Sequence, residues 1–319
     1  MKALICRGFG EGENLALEGR PLPQPGPGQV RVKVLACGAN ASDWEMITGR
    51  PAYGRISRWF LRGRDVFGSD IIGRVEALGP GCTRLQTGQR VAADTFGSFG
   101  GFASYAVAAE KLFVPVPNGV SDILAAALPQ SGTIALTAMR GRVTPGMKVL
   151  VNGGGGGSGS LAIQLAVAEG AEVWGVDTGA KADVMIEAGA SRVFDFEQED
   201  WAESGAEFDL ILDLWGTRPM RVIRRCLTPN GRYMMVGGPM KRVLGALGAS
   251  ILSLFTSRKL GLLAVNQGPD DLSDLMEMVR EERLHPVVGE VTSLEGAREA
   301  LMLMGARKVS GKLVIVPGE

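Results

Sequence analysis

The chain is poor in the residues from which metal sites and disulfide frameworks are built. It has one histidine, His285, and its four cysteines, Cys6, Cys37, Cys82 and Cys226, lie far apart without a Cys-x-x-Cys pair. One histidine cannot build a histidine-rich site, and these cysteines lack the spacing of a zinc knuckle. Scattered thiols are typical of a reducing compartment. We expect no disulfide framework, and we interpret His285 as a surface loop residue.

The sequence also lacks an excess of charge of either sign. Lysine plus arginine total 34 and aspartate plus glutamate total 34, so the formal net charge is zero. A chain without net charge has no general electrostatic attraction to nucleic acid or to an anionic membrane surface. Neither nucleic acid nor a membrane is therefore an expected partner.

No apolar run is long enough to cross a bilayer. The longest, Val243 to Thr256, is followed by Arg258 and Lys259, and it falls short of the roughly 20 residues that a transmembrane helix needs. We interpret it as a buried helix or a subunit interface, with the wall of a hydrophobic substrate channel as the alternative. The apolar run at the N-terminus is too short for a signal peptide. A cytoplasmic protein is expected.

The pattern of apolar residues changes twice along the chain of 319 residues, and this length allows two domains. From residue 1 to about 121, short apolar runs interrupted by glycine and proline predict a β-rich domain in the form of a partly closed barrel. From 122 to 265, apolar strands alternate with helical patterns, which predicts a doubly wound parallel sheet. The tail, 266 to 319, predicts two helices and two strands.

The apolar patterns also predict individual elements. The predicted strands of the central region are Lys148 to Asn152, Glu172 to Val176, Arg192 to Phe196, Asp209 to Trp215, Arg232 to Val236 and Leu260 to Val265. The predicted helices are Gly159 to Glu169 and Ala180 to Ala188, and in the tail Asp270 to Glu282 and Leu294 to Met304. The last predicted strand is Lys312 to Val316.

A glycine run directly follows the first of these strands. Residues 153 to 159 read Gly-Gly-Gly-Gly-Gly-Ser-Gly, in which Gly154, Gly156 and Gly159 satisfy Gly-x-Gly-x-x-Gly. The first glycine allows a tight turn, the second lets the backbone approach a pyrophosphate, and the third lets the helix pack on the strand. Gly157 and Ser158 directly precede the predicted helix, whose N-terminal N–H groups and dipole attract phosphate. The flanking strand and helix argue against a flexible linker and predict a dinucleotide site.

The residues after the second strand bear on the choice of dinucleotide. Asp177 is placed to accept hydrogen bonds from the ribose hydroxyls of the adenosine half, and it would repel a 2′-phosphate. Lys181 offers a contact for a 2′-phosphate, or else it lies on a solvated helix face. We expect NAD(P)H as the cofactor, with NAD slightly preferred over NADP.

The order of these parts resembles the medium-chain dehydrogenase/reductase superfamily, and within it the zinc-independent quinone oxidoreductase-like branch. The resemblance covers essentially the whole chain and rests on the glycine run, Gly68-Ser-Asp-Ile-Ile-Gly-Arg-Val-Glu-Ala-Leu-Gly79, Leu128-Pro129, Gly231 to Gly238 and Gly311-Lys-Leu-Val-Ile. It implies an α/β fold in which residues 1–121 and 266–319 form a GroES-like catalytic domain and 122–265 form a Rossmann domain. It also implies a homodimer, and it adds three residues to the cofactor site: Gly237, Gly238 and Val265.

The resemblance further implies that no zinc is held. Zinc-dependent members place a cysteine and a histidine where this chain has Asn40 and Ser69, and the third ligand position, near Ser131, offers neither. Without a metal to stabilise an alkoxide, hydride transfer is easier toward a conjugated acceptor. The expected substrate is a small hydrophobic quinone or α,β-unsaturated carbonyl. A metal-free alcohol or ketone dehydrogenase and a non-catalytic dinucleotide-binding protein are the alternatives.

Four residues are candidates for catalysis. The resemblance places Asn40 and Tyr53 beside the nicotinamide, where Tyr53 would protonate or orient the substrate oxygen and Asn40 would donate an amide N–H. Ser42 matches the hydroxyl that zinc-dependent members use as a proton relay, and Asp43 is the fourth candidate. Local roles are the alternative: Asn40 and Asp43 would satisfy backbone groups of the loop, and Tyr53 would pack.

Overall fold

A computed structural model describes residues 1–61, 63–265 and 268–318. The chain divides into two units, Met1–Thr133 with Gln267–Glu319, and Ile134–Asn266. Up to residue 139 the elements are β1 (Lys2–Cys6), β2 (Leu15–Gly19), β3 (Gln29–Ala39), α1 (Ala41–Thr48), α2 (Ala52–Phe60), β4 (Asp70–Leu78), β5 (Arg90–Asp94), β6 (Tyr105–Ala109), β7 (Val114–Pro115), α3 (Asp122–Ala126) and α4 (Pro129–Met139).

The central part of the chain follows a strand–helix alternation, and the tail returns to the first unit. The central elements are β8 (Lys148–Asn152), α5 (Gly157–Ala168), β9 (Glu172–Asp177), α6 (Ala182–Glu187), β10 (Arg192–Asp195), β11 (Phe208–Asp213), α7 (Met220–Arg225), β12 (Leu227–Met235), α8 (Met240–Leu252) and β13 (Lys259–Leu262). The tail has α9 (Pro269–Arg280), β14 (Val288–Ser293), α10 (Ala297–Gly305) and β15 (Lys312–Val316).

The second unit is built on a parallel sheet. Over the described residues, its strand order is β10-β9-β8-β11-β12-β13, with every neighbouring pair parallel. The order reverses direction between β8 and β11, which is the switch point of a doubly wound Rossmann sheet. Leu210, Ile211 and Leu212 of β11 are all fully buried, because a central strand of such a sheet is covered on both faces. The predicted doubly wound sheet is confirmed.

The first unit is built on a mixed sheet that joins the two ends of the chain. Over the described residues, its order is β14-β15-β3-β4-β5-β7, and β6 pairs with β3. The strands are antiparallel except for the pair β14 and β15. Val32 of β3, Leu301 of α10 and Ile315 of β15 belong to one buried core. The tail is therefore part of the β-rich unit, and the predicted α/β fold class is confirmed.

The bounds of most predicted elements shift by a few residues. β8 and β15 have the predicted bounds. α5 begins at Gly157, two residues before the predicted start, because Gly157 and Ser158 already form its first turn. β12 begins earlier than predicted, at Leu227, and β13 ends earlier, at Leu262.

Two interpretations of helical segments need correction. The sequence patterns predict no helix between residues 41 and 60, where α1 and α2 form. Gly54 lets them approach closely, since a Cβ there would lie 2.6 Å from the carbonyl oxygen of Glu45. The interpretation of 243–256 as a buried helix is wrong. Among the residues of α8 only Ala246 is buried, because apolar residues such as Leu244, Leu247 and Ile251 lie on its exposed side; a subunit interface and a channel wall stay predictions.

Each helix among the described residues is too short or too polar to pass through a bilayer. The expected cytoplasmic location stays a prediction. His285 is exposed, as predicted from its place before a proline.

Gly159→Ala is expected to destabilise the second unit. A Cβ at residue 159 would lie 2.1 Å from the carbonyl oxygen of Gly153 and 2.7 Å from Cα of Gly154. Because these are backbone atoms the turn must move, at a cost of about 1–3 kcal/mol. In the control, Gly248→Ala, the new Cβ meets nothing within 4 Å, and the higher helix propensity of alanine should add up to about 1 kcal/mol. Urea unfolding followed by circular dichroism checks both, and equal midpoints would contradict the packing role of Gly159.

Candidate active site

The glycine loop connects β8 to α5 at the carboxyl end of β8. Its left-handed residue is Gly153, with φ of 91°, so the tight turn lies one residue before the Gly154 that the motif predicts. Gly154 instead gives room to Met185, whose Sδ would lie 2.8 Å from a Cβ at 154. Gly156 is the extended N-cap of α5, and a Cβ there would meet nothing nearer than 3.5 Å. The loop thus leaves its backbone open at the helix N-terminus, which fits a pyrophosphate.

Asp177 and Lys181 lie against this loop as a pair. Asp177 Oδ2 accepts the N–H of Gly155 at 3.1 Å, and Oδ1 accepts the N–H of Thr178 at 2.9 Å. Lys181 Nζ is 3.5 Å from Asp177 Oδ1, and each side chain is 9% exposed. A Cβ at Gly155 would lie 2.5 Å from Cβ of Lys181. The alternative that Lys181 lies on a solvated helix face is therefore wrong, because its side chain covers the glycine loop.

The other predicted cofactor residues follow strands of the same parallel sheet. Gly237 and Gly238 come after β12, and Val265 comes after β13. The carbonyl oxygen of Gly237 accepts the N–H of Gly216 at 2.8 Å, and Gly238 has a φ of 150°. Since the carboxyl ends of parallel strands share one edge, the sheet brings these residues to the edge that carries the glycine loop. This arrangement fits a dinucleotide.

Asp213 is a buried acid at the same edge that the sequence motifs do not indicate. It ends β11 and is 1% exposed. Its Oδ1 accepts the side-chain amide of Asn152 at 2.6 Å, and its Oδ2 accepts the hydroxyl of Tyr233 at 2.9 Å. Burial raises the pKa of Asp213, and the two donors oppose that shift. The side chain ties β8, β11 and β12 together at the switch point.

In the first unit, the buried side chain of Lys312 forms hydrogen bonds to residues at the predicted zinc-ligand positions. Lys312 lies in β15 and is 3% exposed. Its Nζ donates to Asn40 Oδ1 at 2.6 Å, to Asp70 Oδ2 at 2.8 Å and to Ser131 Oγ at 2.9 Å. These bonds use all three hydrogens of the ammonium. Neither Lys312 nor Asp70 is a sequence-based candidate for the site. Both lie in segments that carry the family resemblance, but those motifs assign no role to their side chains.

A second layer of hydrogen bonds extends this network. The hydroxyl of Ser69 accepts from Asn40 Nδ2 at 3.3 Å and donates to Asp70 Oδ1 at 3.4 Å. The backbone N–H of Gln130 donates to Asp70 Oδ1 at 3.2 Å. The hydroxyl of Ser42 donates to Gln130 Oε1 at 2.8 Å. The structure therefore joins Ser42 in one network with Asn40, Ser69 and Ser131, the three positions at which the resemblance places the ligands of zinc-dependent members.

Asp43 has contacts of the local, structural kind. Its Oδ2 accepts the backbone N–H of Asn40 at 2.9 Å, and its Oδ1 accepts that of Gly68 at 3.0 Å. Burial raises the pKa of Asp43 to about 7, the bond from Asn40 lowers it, and the charge of Asp70 raises it. Asp43 thus holds the start of α1, and with it Asn40, against the loop that precedes β4.

Tyr53 forms a pair with a residue that no sequence motif indicates. Its hydroxyl, in α2, donates to Oε1 of Glu45, in α1, at 2.7 Å. Burial raises the pKa of Glu45 to about 7, and the bond from Tyr53 opposes the shift. A carboxyl group with a pKa near neutrality beside a phenol can hold or release a proton at physiological pH.

The residues at the predicted ligand positions do not fit a zinc ion. Asn40, Ser69 and Ser131 offer amide and hydroxyl groups in place of thiolates and imidazole, and the ammonium of Lys312 lies among them and would repel a metal cation. Burial raises the pKa of the nearby Cys37 thiol well above its usual range. In the part of the chain that the structure describes, no three His, Cys, Asp or Glu side chains are grouped to hold a metal.

Two family models match different parts of the chain. Residues 26–118 match the alcohol dehydrogenase GroES-like domain. Residues 188–315 match the model described as zinc-binding dehydrogenase. The matches cover much of the β-rich first unit, the later part of the parallel sheet and most of the tail.

The chain is similar to known proteins along its whole length. It is 30% identical over 333 residues to the chloroplastic quinone-oxidoreductase QR1 of Triphysaria versicolor, covering 99% of this chain and 98% of that protein. It is 26% identical to the structure of the quinone oxidoreductase from Coxiella burnetii, with a TM-score of 0.88 over 100% of this chain and 99% of that one. A mycobacterial protein complexed with NADPH is 25% identical, with a TM-score of 0.82 over 99% and 100% of the two chains.

Proposed function

We propose that this chain, which belongs to the medium-chain dehydrogenase/reductase superfamily, is a zinc-independent enzyme that transfers hydride from NAD(P)H to a quinone or an α,β-unsaturated carbonyl. Membership of the family makes it an NAD(P)-dependent oxidoreductase. The proposal adds the acceptor and the independence from zinc. The observation that carries it is the Lys312 ammonium, bonded to Asn40 and Ser131 at two of the ligand positions. Similarity to quinone oxidoreductases supports the class of acceptor.

The donor set suits acceptors that need only hydrogen bonds. Oxidation of a simple alcohol requires a group that stabilises an alkoxide, which is the usual task of the metal. Reduction of a conjugated acceptor builds negative charge on an oxygen, and fixed N–H and O–H donors stabilise that charge. When bound, the dihydronicotinamide supplies the hydride. We assign the hydrogen bond to the substrate oxygen to Asn40 Nδ2, and the proton to the hydroxyl of Tyr53. Ser42 orients Gln130.

Glu45 controls the proton of Tyr53 in this proposal. As a carboxylate, Glu45 accepts the hydroxyl hydrogen of Tyr53 and holds it away from the substrate. As a neutral acid, Glu45 donates to the phenol oxygen, so that the hydrogen of Tyr53 turns to the substrate oxygen. The pKa of Glu45, raised to about 7 by burial, makes the neutral form abundant below pH 7 and scarce above it.

Turnover is therefore expected to fall as the pH rises through about 7. Glu45→Gln should remove this fall, because an amide N–H donates to Tyr53 at every pH. Tyr53→Phe should lower kcat about 100-fold without changing the affinity for the cofactor. The control is Tyr105→Phe, in β6 of the same unit. Initial rates between pH 5.5 and 8.5 check all three, and an unchanged kcat in Tyr53→Phe would exclude it as the proton donor.

The choice of acceptor is tested with the purified protein and NADH or NADPH. Consumption of reduced cofactor is expected with 1,4-naphthoquinone or an enone and not with simple ketones, and dialysis against EDTA should leave the rate unchanged. The reverse preference would point to a metal-free alcohol or ketone dehydrogenase, and loss of activity with EDTA would contradict independence from zinc. Cofactor binding by calorimetry without turnover of any acceptor would point to a non-catalytic protein.

The preference for NAD over NADP is expected to be slight, because Lys181 lies beside Asp177. Asp177 suits ribose hydroxyls, while the ammonium of Lys181 reduces its repulsion of a 2′-phosphate. Asp177→Ser should shift the ratio of kcat/KM values about tenfold toward NADPH, and Lys181→Met about tenfold toward NADH, since ~1.4 kcal/mol corresponds to that factor. If neither variant changes the ratio of kcat/KM values, Asp177 and Lys181 do not determine the choice between the ribose hydroxyls and a 2′-phosphate.

A homodimer is the proposed assembly. β13 is the edge strand of the parallel sheet, and in the segment just before it Leu254 is 74% and Phe255 is 85% exposed. Burying these side chains against a second copy would remove apolar surface from water. Leu254→Ser with Phe255→Ser should shift the mass measured by analytical ultracentrifugation from that of a dimer to that of the 33.6 kDa monomer. Phe60→Ser, also at an exposed site, is the control, and a monomeric parent protein would contradict the assembly.

A further inference from the structure

We propose that the Lys312 ammonium is a built-in cation of the active site, and that it acts on the substrate through Asn40, whose side-chain amide it orients and polarises. The later part of the chain matches a family model described as zinc-binding, yet a lysine nitrogen lies among the residues at the ligand positions. The inference rests on the proposed function for the identity of the acceptor, and the presence of the cation site is tested separately from it.

The hydrogen bonds around Lys312 Nζ form a binding site for a cation, with one oxygen acceptor for each hydrogen of the ammonium. The three acceptors around Nζ come from three places in the fold: Asn40 precedes α1, Asp70 begins β4 and Ser131 lies in the first turn of α4. The backbone makes room for the lysine stem at Gly38. A Cβ at that position would lie 2.7 Å from Cε of Lys312 and 2.1 Å from a backbone carbonyl oxygen.

The charges around Nζ are compensated by one carboxylate. Asp70 is fully buried and lies 2.8 Å from Nζ, so the two form a buried ion pair. Two further acids, Asp43 and Asp94, interact with both members of the pair, and burial raises the pKa of each to about 7. Burial therefore disfavours the carboxylate form of these two acids, whereas Asp70 is in direct ionic contact with Lys312.

The bond to Lys312 fixes which end of the Asn40 amide faces outward from the cation. Because Oδ1 accepts from the ammonium at 2.6 Å, Nδ2 lies on the other side, where one of its hydrogens reaches Ser69 at 3.3 Å. Nδ2 has a second hydrogen, which we assign to the substrate oxygen. A cation on the carbonyl oxygen draws electron density from the amide nitrogen, and polarised chains of hydrogen bonds of this kind strengthen the terminal donor. Lys312 is thus a positioning residue, and Asn40 contacts the substrate.

Chemical rescue tests this arrangement. Lys312→Ala removes the cation and leaves a space beside Asp70 that a small primary ammonium ion can occupy. We expect kcat/KM for the acceptor to fall 10- to 100-fold, and ethylammonium chloride to restore it at least fivefold with saturation. Sodium chloride and tetramethylammonium chloride at equal ionic strength are the controls. Lys308→Ala, at an exposed lysine in the same unit, should behave like the parent protein with every salt.

A second readout does not depend on turnover. Ethylammonium should raise the Tm of Lys312→Ala by several degrees, and tetramethylammonium, which has no N–H, should not. The double variant Asp70→Asn with Lys312→Met keeps the network neutral, so it should fold even if Lys312→Ala does not. We expect it to have the low kcat/KM of Lys312→Ala, an unchanged Kd for the cofactor and no response to ethylammonium.

The outcomes separate the two levels of the proposal. A rise in Tm together with rescue of turnover supports both the cation site and its action through Asn40. A rise in Tm without rescue would overturn the action through Asn40, and normal turnover in the double variant would overturn it as well. No selective rise in Tm would overturn the cation site. If the parent protein reduces neither quinones nor enones, the proposed function fails, while the Tm measurement still decides the cation site.

Discussion

The buried ion pair between Lys312 and Asp70 is the interaction on which the first unit's polar centre depends. Two buried charges are stabilising only if their remaining hydrogen-bonding capacity is also filled. Here Asn40 and Ser131 fill it for the ammonium, and Ser69 and the N–H of Gln130 fill it for the carboxylate. These partners come from different parts of the chain. The ion pair therefore joins β15 to three segments from the first half of the sequence, around residues 40, 70 and 130.

In the second unit, the buried carboxyl groups at the ends of parallel strands also have their hydrogen-bonding capacity filled. Asp177 and Asp213 both end parallel strands, and each is buried with its oxygens bonded to groups on neighbouring loops or strands. A carboxylate in such a position aligns the backbone at the edge of the sheet where ligands of doubly wound folds bind. The positions of the glycine loop and of its acids are therefore consequences of one sheet, whereas the Lys312 network has to be assembled from distant elements.

This difference explains what could be predicted from sequence. The apolar patterns predict β8 and β15 to the residue, and the glycine run has the strand and helix that a dinucleotide loop requires, because these signals are local. Lys312 and Asn40 are separated by 272 positions, and although Gly311-Lys-Leu-Val-Ile contributes to the family resemblance, that motif assigns no role in the site to the Lys312 side chain. Glu45 is not predicted for a related reason. Its pairing with Tyr53 depends on the packing of α1 against α2, and Gly49 and Pro51 between these helices make the segment look like a loop in the sequence.

An ammonium and a metal ion at one place in a fold do not support the same chemistry. A metal can add the substrate oxygen to its coordination shell, but an ammonium has three hydrogens, and those of Lys312 are already given to Asn40, Asp70 and Ser131. Any electrophilic effect of this cation has to pass through a neighbouring donor. Such an effect is weaker than direct coordination, so it suits acceptors in which conjugation already spreads the charge that hydride transfer creates. The proposed independence from zinc and the proposed quinone or enone acceptor therefore follow from the same constraint, which is that every hydrogen of the Lys312 ammonium already has an acceptor.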